Sequence, residues 1–280
     1  MTKLFELYRP KIMTNTHSEY KEYLPNPLLR PYVTCYWTTL PKENLKQHKE
    51  YTSYVIPDGC TDIIFQYNKE NKEFQIRYCG IFESYFEIKE TLNKENKTFG
   101  IRFFPGGSYP FIYHKAKEVS HQILNLDCLN KDLFIKLQNV ANHSKTLSEL
   151  VYESDKILLK ELTSNILNNK DSSSLLNNVL YQIFSEQGKE SINDISKKEV
   201  TSSRKINRLF EERIGISPKK FSQVIRFQSS LMTLDFNSSL QGYELTDDFG
   251  FYDQSHFIRD FKKRIGKSPS FIKPSDFYNT

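Results

Sequence analysis

A segment of 14 residues near the end of the chain occurs twice. Arg208–Phe221 recurs 51 residues later as Arg259–Ile272, and seven of the 14 positions are identical. In order, the identical residues are Arg, Phe, Arg, Ile, Gly, Ser and Pro. Chance rarely produces such a match, so the C-terminal part of the chain contains two copies of one structural unit.

The residue pattern of each copy predicts one helix that ends and a second helix that begins directly after it. Apolar residues recur at helical spacing up to a glycine, which is typical of a helix that ends in the left-handed conformation. A serine and a proline follow, as at a helix start. Shorter helical stretches precede the copies at 192–197 and 243–249, and Gly250 predicts a tight turn in the second. The pattern indicates two helix-turn-helix units joined by a helix from about Pro218 to Leu234. The punctuating residues are Gly215, Ser217, Pro218, Gly266, Ser268 and Pro269.

Positive charge is concentrated on these units. Six Lys or Arg oppose two Glu between Ser202 and Lys220, and five oppose one Asp between Arg259 and Lys267, so each segment carries +4. Leu175 to Thr280 as a whole carries only +3, from 16 basic and 13 acidic residues. The net charge of the chain, +5, permits nucleic acid as a partner, and its concentration indicates where phosphates would lie.

These residues resemble the C-terminal signature of the AraC/XylS family of bacterial transcription regulators. The similar strings are Ile214–Pro218, Gly250–Phe257 and Gly266–Pro269, and the resemblance covers about residues 174–273. The first half is similar to an N-terminal domain found on some of these regulators, at Val55–Phe65 and Gly100–Gly107. That second match implies no known ligand.

The resemblance implies that the second helix of each unit enters the major groove, in successive segments on one face of DNA. Arg can pair with guanine, and Asn or Gln with adenine, through two hydrogen bonds. Lys contacts to phosphate set affinity and register without reading sequence. The base-facing positions are Ser203, Arg204, Asn207 and Arg208 in the first unit and Gln254, Ser255, His256, Ile258 and Arg259 in the second. Phosphate contacts are expected at Lys205, Lys219, Lys220, Lys262 and Lys263.

Some positions depart from the family pattern or allow another role. Val200 stands near the usual turn glycine of the first unit, Glu199 where an apolar residue is common, and Thr246 where the second unit usually carries Ala. The alternative for Arg208 and Arg259, which share the helical phase of core residues, is an ion pair with an acid. The alternative for His256 is capping or packing.

The first half has a strand-like pattern. Segments rich in β-branched and aromatic residues at 31–40, 51–56, 62–67, 74–78 and 98–104 are separated by turn residues, which is typical of a β-sandwich or barrel. From about Asn130 to Leu167 the apolar period becomes helical, as in a core helix or a dimer seam. The sequence therefore predicts an α+β protein. Its divisions are a β-rich sensing or dimerisation domain at 1–168, a linker at 169–175 and an all-α DNA-binding domain at 176–280.

No pattern predicts catalytic chemistry, a metal site or a cofactor. The four cysteines lack a C-x-x-C pair and are expected to be reduced in a cytoplasmic protein. No apolar run approaches the roughly 20 residues of a membrane span. Asp58, Cys60 and Asp62 could form a carboxylate–thiol cluster, but a structural turn is favoured because no histidine lies beside them.

The function predicted is sequence-specific transcription regulation through double-stranded DNA. The effector at the N-terminal domain is expected to be an unknown small molecule or protein, with RNA polymerase and a second copy of the chain as further candidate partners. The alternative is an enzyme in the β-rich half fused to a DNA-binding module.

Overall fold

The computed structural model describes residues 2–14, 17–42, 50–68, 72–91, 98–112, 114–166, 173–233 and 251–278. The strands in these residues are β1 (Ile12–Met13), β2 (Ser18–Tyr23), β3 (Val33–Pro41), β4 (Glu50–Val55), β5 (Thr61–Asn68), β6 (Glu73–Cys79), β7 (Phe86–Thr91), β8 (Thr98–Phe103), β9 (Ile123–Asn125) and β10 (Phe277–Tyr278). The helices are α1 (Thr2–Leu7), α2 (Lys131–His143), α3 (Leu147–Ile166), α4 (Ser173–Ser185), α5 (Ile192–Lys198), α6 (Ser203–Arg213), α7 (Pro218–Thr233) and α8 (Gln254–Ile265).

The N-terminal half is built on an antiparallel sheet of six strands. The strand order is β2-β3-β8-β5-β6-β9, and β4 pairs with β7 in a separate two-stranded ribbon. Successive side chains of a strand point to opposite faces. On β5, Ile63 and Phe65 are fully buried on one face, whereas Asp62 and Gln66 line a cavity on the other.

Helices α2 and α3 cover the first face of the sheet. Leu133 and Leu137 from α2 and Leu158 from α3 belong to the same buried cluster as Ile63 and Phe65. Burial of such side chains is the main stabilising term, at about 25 cal/mol per Å² of apolar surface. The helical stripe predicted as core or dimer seam therefore packs on the sheet.

The helices of the C-terminal half enclose two further apolar clusters. One holds Ile195 from α5, Phe210 from α6 and Phe221 from α7, and it also includes Tyr8, Ile81 and Phe104 from the N-terminal half. The other holds Phe227 from α7 and Phe257 and Phe261 from α8, together with Ile56. Helix α7 contributes to both clusters, so it ties the two helix-turn-helix regions to each other and to the β-rich half.

A short strand pair also joins the two halves. Ile12 on β1 pairs with Tyr278 on β10, and Met13 pairs with Phe277. The segment before the sheet and the segment after α8 therefore lie side by side. No sequence pattern predicted this pairing, because each strand has only two residues.

The α+β class predicted from the sequence is confirmed, and the five predicted strand segments correspond to β3, β4, β5, β6 and β8. One helix start differs from expectation. Pro218 begins a helix of 16 residues, but Pro269 begins a 3₁₀ helix of only three. The side chain of Ser268 makes no capping hydrogen bond there, and Pro274 follows five residues later and could not continue a helix.

Candidate DNA interface and internal cavity

The turn of the first helix-turn-helix unit joins two capped helices. The hydroxyl of Ser191 accepts a hydrogen bond from the backbone N of Asp194 at 3.2 Å, and that of Ser202 accepts from Lys205 N at 3.2 Å. Between the helices, Val200 has φ +48° and a side chain that is 93% exposed. This left-handed backbone favours glycine, which accounts for the glycine usual at this position.

Glu199, the second departure in this turn, is held by amides from α4. Asn178 Nδ2 donates to Glu199 Oε2 at 3.0 Å, and Gln182 Nε2 donates to Oε1. The polar side chain is accommodated because both carboxylate oxygens have partners.

In the second unit, α8 is capped at both ends. Asp253 Oδ1 accepts from His256 N at 2.6 Å, and Gly266 ends the helix with φ +79°. The ring of His256 lies 5.4 Å from that of Phe251, edge to face, so the packing and capping alternative describes its contacts here. The short helix expected at 243–249, the turn at Gly250 and the departure at Thr246 lie outside the described residues.

The base-facing positions fall into two groups. Asn207 donates through Nδ2 to the carbonyl of Ser203 at 2.8 Å, and the Ser203 hydroxyl donates to Asn193 Oδ1 at 2.9 Å, so both side chains have partners within the unit. Ile258 packs against the cluster around Phe257. The exposed positions are Arg204, Arg208, Ser255 and Arg259, and the half-buried ones are Ser203, Asn207, Gln254, His256 and Ile258.

The positive charge of the two segments is divided between two surfaces. Two basic residues from each segment contact the N-terminal half: Arg213, Lys220, Arg264 and Lys267. The remaining basic residues have exposed side chains: Arg204, Lys205, Arg208 and Lys219 in the first segment and Arg259, Lys262 and Lys263 in the second. We call these seven the exposed cation set.

Equivalent arginines of the repeat make the contacts with the N-terminal half. The guanidinium of Arg213 lies 3.6 Å from the centre of the Tyr109 ring. Arg264, 51 residues later, is 2% exposed; it donates through Nη1 to the carbonyl of Glu83 at 2.8 Å and through Nε to Asp260 Oδ2 at 2.9 Å. These arginines are docking residues rather than phosphate contacts.

Glu83 contacts both α7 and α8, and Tyr85 lies against the glycine that ends α8. The carboxylate of Glu83 accepts from Lys220 Nζ at 2.8 Å, while its carbonyl accepts from Arg264. A Cβ added to Gly266 would lie 2.8 Å from Cζ of Tyr85, so the glycine is required by close approach as well as by its φ. The loop around Glu83 thus fixes the C-terminal end of α8.

A cavity of about 220 Å³ lies between the second face of the six-stranded sheet and the β4–β7 ribbon. Its walls are largely apolar, and one end holds a buried charge cluster. Arg102 Nε lies 3.3 Å from Asp62 Oδ1 and 3.7 Å from Asp58 Oδ2, and Asp62 Oδ1 also accepts from Trp37 Nε1 at 2.6 Å. Arg102 Nη1 donates to the hydroxyl of Tyr20 at 3.2 Å. A small partly apolar molecule fits such a space.

Burial and charge act against each other in this cluster. Burial raises the pKa of Asp62, and Arg102 counteracts it. For Arg102, burial favours loss of the proton, but Asp62, Tyr20 and Asp58 together raise its pKa well above the usual value. The guanidinium therefore stays charged inside the cavity.

Asp58 and Asp62, which the sequence places with Cys60 in a structural turn, line this cavity. Gly59 has φ +77°, as the predicted turn requires, and Asp58 Oδ1 accepts from Cys60 N at 2.9 Å. Burial raises the pKa of the Cys60 thiol well above its usual value, so it stays protonated. Across the described ranges, no three His, Cys, Asp or Glu side chains are grouped so that they could hold a metal ion.

Sequence reasoning missed the docking residues and the cavity cluster. It assigned the charge of each repeated segment to DNA as a whole, yet Arg213 and Arg264 are among the identical positions of the repeat. Their place directly before Ile-Gly, at the end of the helix, was the available signal. Arg102 gave none, because its partners Asp58 and Asp62 lie some forty residues away in the sequence.

Two domain families match the chain. Residues 195–273 match the model described as a helix-turn-helix domain, which is of the AraC type, and residues 21–125 match a domain of unknown function (DUF6597). The resemblance drawn from the repeated segment is thereby confirmed. No curated protein shows significant similarity to the chain. Within the described residues, no helix has the length and apolar character to cross a membrane.

Among solved structures, the chain is similar to ToxT from Vibrio cholerae. An apo ToxT variant from strain SCE256 is 14% identical, with a TM-score of 0.41, over 92% of this chain and 97% of that one. ToxT bound to an unsaturated fatty acid is 14% identical, with a TM-score of 0.40, over 94% of this chain and 96% of that one.

Proposed function

Since the chain is a DNA-binding transcription regulator with an AraC-type helix-turn-helix domain, we propose that it binds duplex DNA through the N-terminal parts of α6 and α8. In this arrangement Arg204 and Arg208 read bases for the first unit and Arg259 for the second. The half-buried polar positions Asn207 and Gln254 complete the interface once their side chains turn toward the groove. The exposed lysines of the cation set contact phosphates.

The exposed cation set is the observation that carries this proposal. Arg208 and Arg259 occupy equivalent positions of the repeat, and both are exposed, while the equivalent pair Arg213 and Arg264 faces the N-terminal half. Exposed Arg and Lys side chains on α6 and α8, with Lys219 at the start of α7, would supply both guanine recognition and phosphate neutralisation.

We further propose that the 220 Å³ cavity is the site of a small-molecule effector. The buried group of Arg102, Asp58 and Asp62 would orient the occupant, and the apolar walls would bury its body. The N-terminal half, at about 1–168, would then sense the effector, and the half from about 176 would bind DNA. An effector shifts DNA affinity only by as much as it prefers one arrangement of the two halves.

The test is selection of DNA fragments bound by the purified chain, followed by affinity measurements on the recovered sequence. Arg204→Ala should weaken binding by about 1–3 kcal/mol and relax specificity at one base position. Lys262→Ala should weaken all sequences similarly and reduce the salt dependence by about one phosphate contact. The matched control is Lys160→Ala. This substitution removes one positive charge, as Lys262→Ala does, but at an exposed position of α3 in the N-terminal half.

Two results would contradict the assignment. One is a chain that binds no duplex better than random competitor at moderate salt. The other is an Arg204→Ala variant that binds every selected sequence with the affinity of the wild type. Its affinity would then not differ from that of the control, Lys160→Ala.

A further inference from the structure

One turn of the β-rich half, Pro57–Gly59, lies between the cavity and helix α7. Ile56 and Asp58 line the cavity, and the Asp58 carboxylate lies 3.7 Å from Arg102 Nε. On the other side, a Cβ at Gly59 would lie 3.0 Å from the Phe221 ring of α7. The turn is therefore a thin partition between the cavity and the helix that joins the two helix-turn-helix units.

Gln228 is the polar junction on the α7 side of this partition. Its side chain is fully buried, and Nε2 donates to the carbonyl of Pro57 at 2.9 Å. Its Oε1 accepts from the backbone N of Lys11 at 2.8 Å. A buried amide without these partners would carry a penalty of about 1–3 kcal/mol, so a shift of either backbone segment must move Gln228 or break its bonds.

The second segment held by Gln228 also borders the cavity. Ile12 and Met13 follow Lys11 directly, and both line the cavity while pairing with β10. Tyr8, three residues before Lys11, donates its hydroxyl to the carbonyl of Asp58 at 2.5 Å and stacks on Phe184 of α4 at 4.6 Å. Two separate walls of the cavity are thus tied to α7 at one side chain.

The position of α7, which carries Lys219, governs the two helices that carry the other six members of the exposed cation set. Phe221 packs with Phe210 of α6, at 5.7 Å between ring centres, and Phe227 packs with Phe261 of α8, at 5.6 Å. Because protein interiors are close-packed, a movement of α7 displaces one or both units.

We propose that Gln228 couples occupancy of the cavity to the relative placement of α6 and α8, through the Pro57–Gly59 turn and the Lys11–Met13 segment. This rests on the proposed function, because it adds the route by which the effector site acts on DNA binding. An occupant that contacts Arg102 competes with Asp58 for the guanidinium and moves the turn. Gln228 is a positioning residue, since it touches neither the cavity contents nor DNA.

The test fills the cavity by mutation in the full-length chain. Ile64→Trp places a larger side chain on the sheet wall, and Ile88→Trp does so on the ribbon wall, within the 220 Å³ available. Each is made with Gln228 intact and in a Gln228→Leu background. The control is Ile135→Trp, an exposed position on α2 outside the cavity. Affinity is measured for the duplex selected by the wild type, and hydrogen exchange is measured for α7.

With Gln228 intact, either filling variant should change DNA affinity about five-fold or more, the lower range of typical allosteric coupling, and should change exchange of the α7 amides. In the Gln228→Leu background the same substitution should change affinity by less than about two-fold, because the coupling energy of a double-mutant cycle isolates the pair. Ile135→Trp should behave as wild type in both backgrounds.

Equal effects in the two backgrounds, or no effect of a folded filling variant with Gln228 intact, would overturn the coupling. If the wild type selects no duplex, the proposed function fails instead. Exchange of the α7 amides then decides the coupling alone, because that readout does not require DNA.

Discussion

The buried pair of Arg264 and Asp260 allows a quantitative prediction of how much the contacts of α8 contribute to the free energy of unfolding. Arg264 is 2% exposed and Asp260 14% exposed, and two hydrogen bonds join them, at 2.9 and 3.2 Å. Arg264→Met would leave the carboxylate of Asp260 with Arg226 as a charged neighbour, and breaking a buried pair in this way costs about 3–5 kcal/mol. Arg264→Met should therefore lower the free energy of unfolding by about that amount, a large share of the stability of an ordinary domain.

Removing both charges should cost much less. In Arg264→Met with Asp260→Leu, the carboxylate is no longer stranded, and apolar side chains of similar size fill the space. The remaining loss, about 1–3 kcal/mol, is the unpaired carbonyl of Glu83. Arg259→Met, an exposed arginine of the same helix, is the matched control and should lie within about 0.5 kcal/mol of wild type.

The assay is urea unfolding followed by circular dichroism, with the three variants and the wild type at one pH. The proposed role of Arg264 is refuted if Arg264→Met lowers the free energy of unfolding no more than Arg259→Met does. It is also refuted if the double variant is less stable than Arg264→Met alone, since the second change would then add a cost where it should remove one.

Three further predictions concern other parts of the structure. Asp253→Ala removes the cap of α8 and should lower stability by about 1 kcal/mol in urea unfolding, whereas Ser255→Ala should not. A thiol reagent should modify Cys128 in the native protein and all four cysteines only in denaturant, because Cys128 is exposed and the other three are buried; two fast thiols would contradict this. Asp127 raises the pKa of the Cys128 thiol and burial raises the pKa of the others, so access to the reagent makes the difference. Burial raises the pKa of Asp62, so its favourable contribution is greatest in acid and is lost as pH rises through the raised pKa. The stability of the wild type relative to Asp62→Asn should accordingly fall from acid to neutral pH, and a rise would contradict this.

The sequence predicted the elements whose signals are local. The glycine stop at Gly215, with φ +103°, and the capping serine at Ser217, which accepts from Lys220 N at 3.4 Å, depend on a few neighbouring residues. The strands of the sheet are predicted from short runs of β-branched and aromatic residues between turn residues, and these signals are local too. Val200 departs from the usual turn glycine, and its φ of +48° gives the physical reason why glycine is common there.

The sequence could not predict how the halves pack together. Arg264 bonds to a carbonyl 181 residues away, and Gln228 bonds to one 171 residues away. Such contacts follow no helical or strand period, so a basic residue at the end of a helix resembles any other phosphate contact until the tertiary structure is known. The division of the positive charge between docking and exposed surfaces is therefore a structural finding.

The shared apolar clusters bear on how the DNA-binding half can be prepared. A fragment that begins near residue 176 would leave behind Tyr8, Ile81 and Phe104, and the rings of Phe184 and Phe221 would lose their cover. Bare aromatic surface of this kind promotes self-association. Such a fragment would need polar substitutions at Phe184 and Phe221, or added residues that cover them. Only then could its affinity for DNA be compared with that of the intact chain.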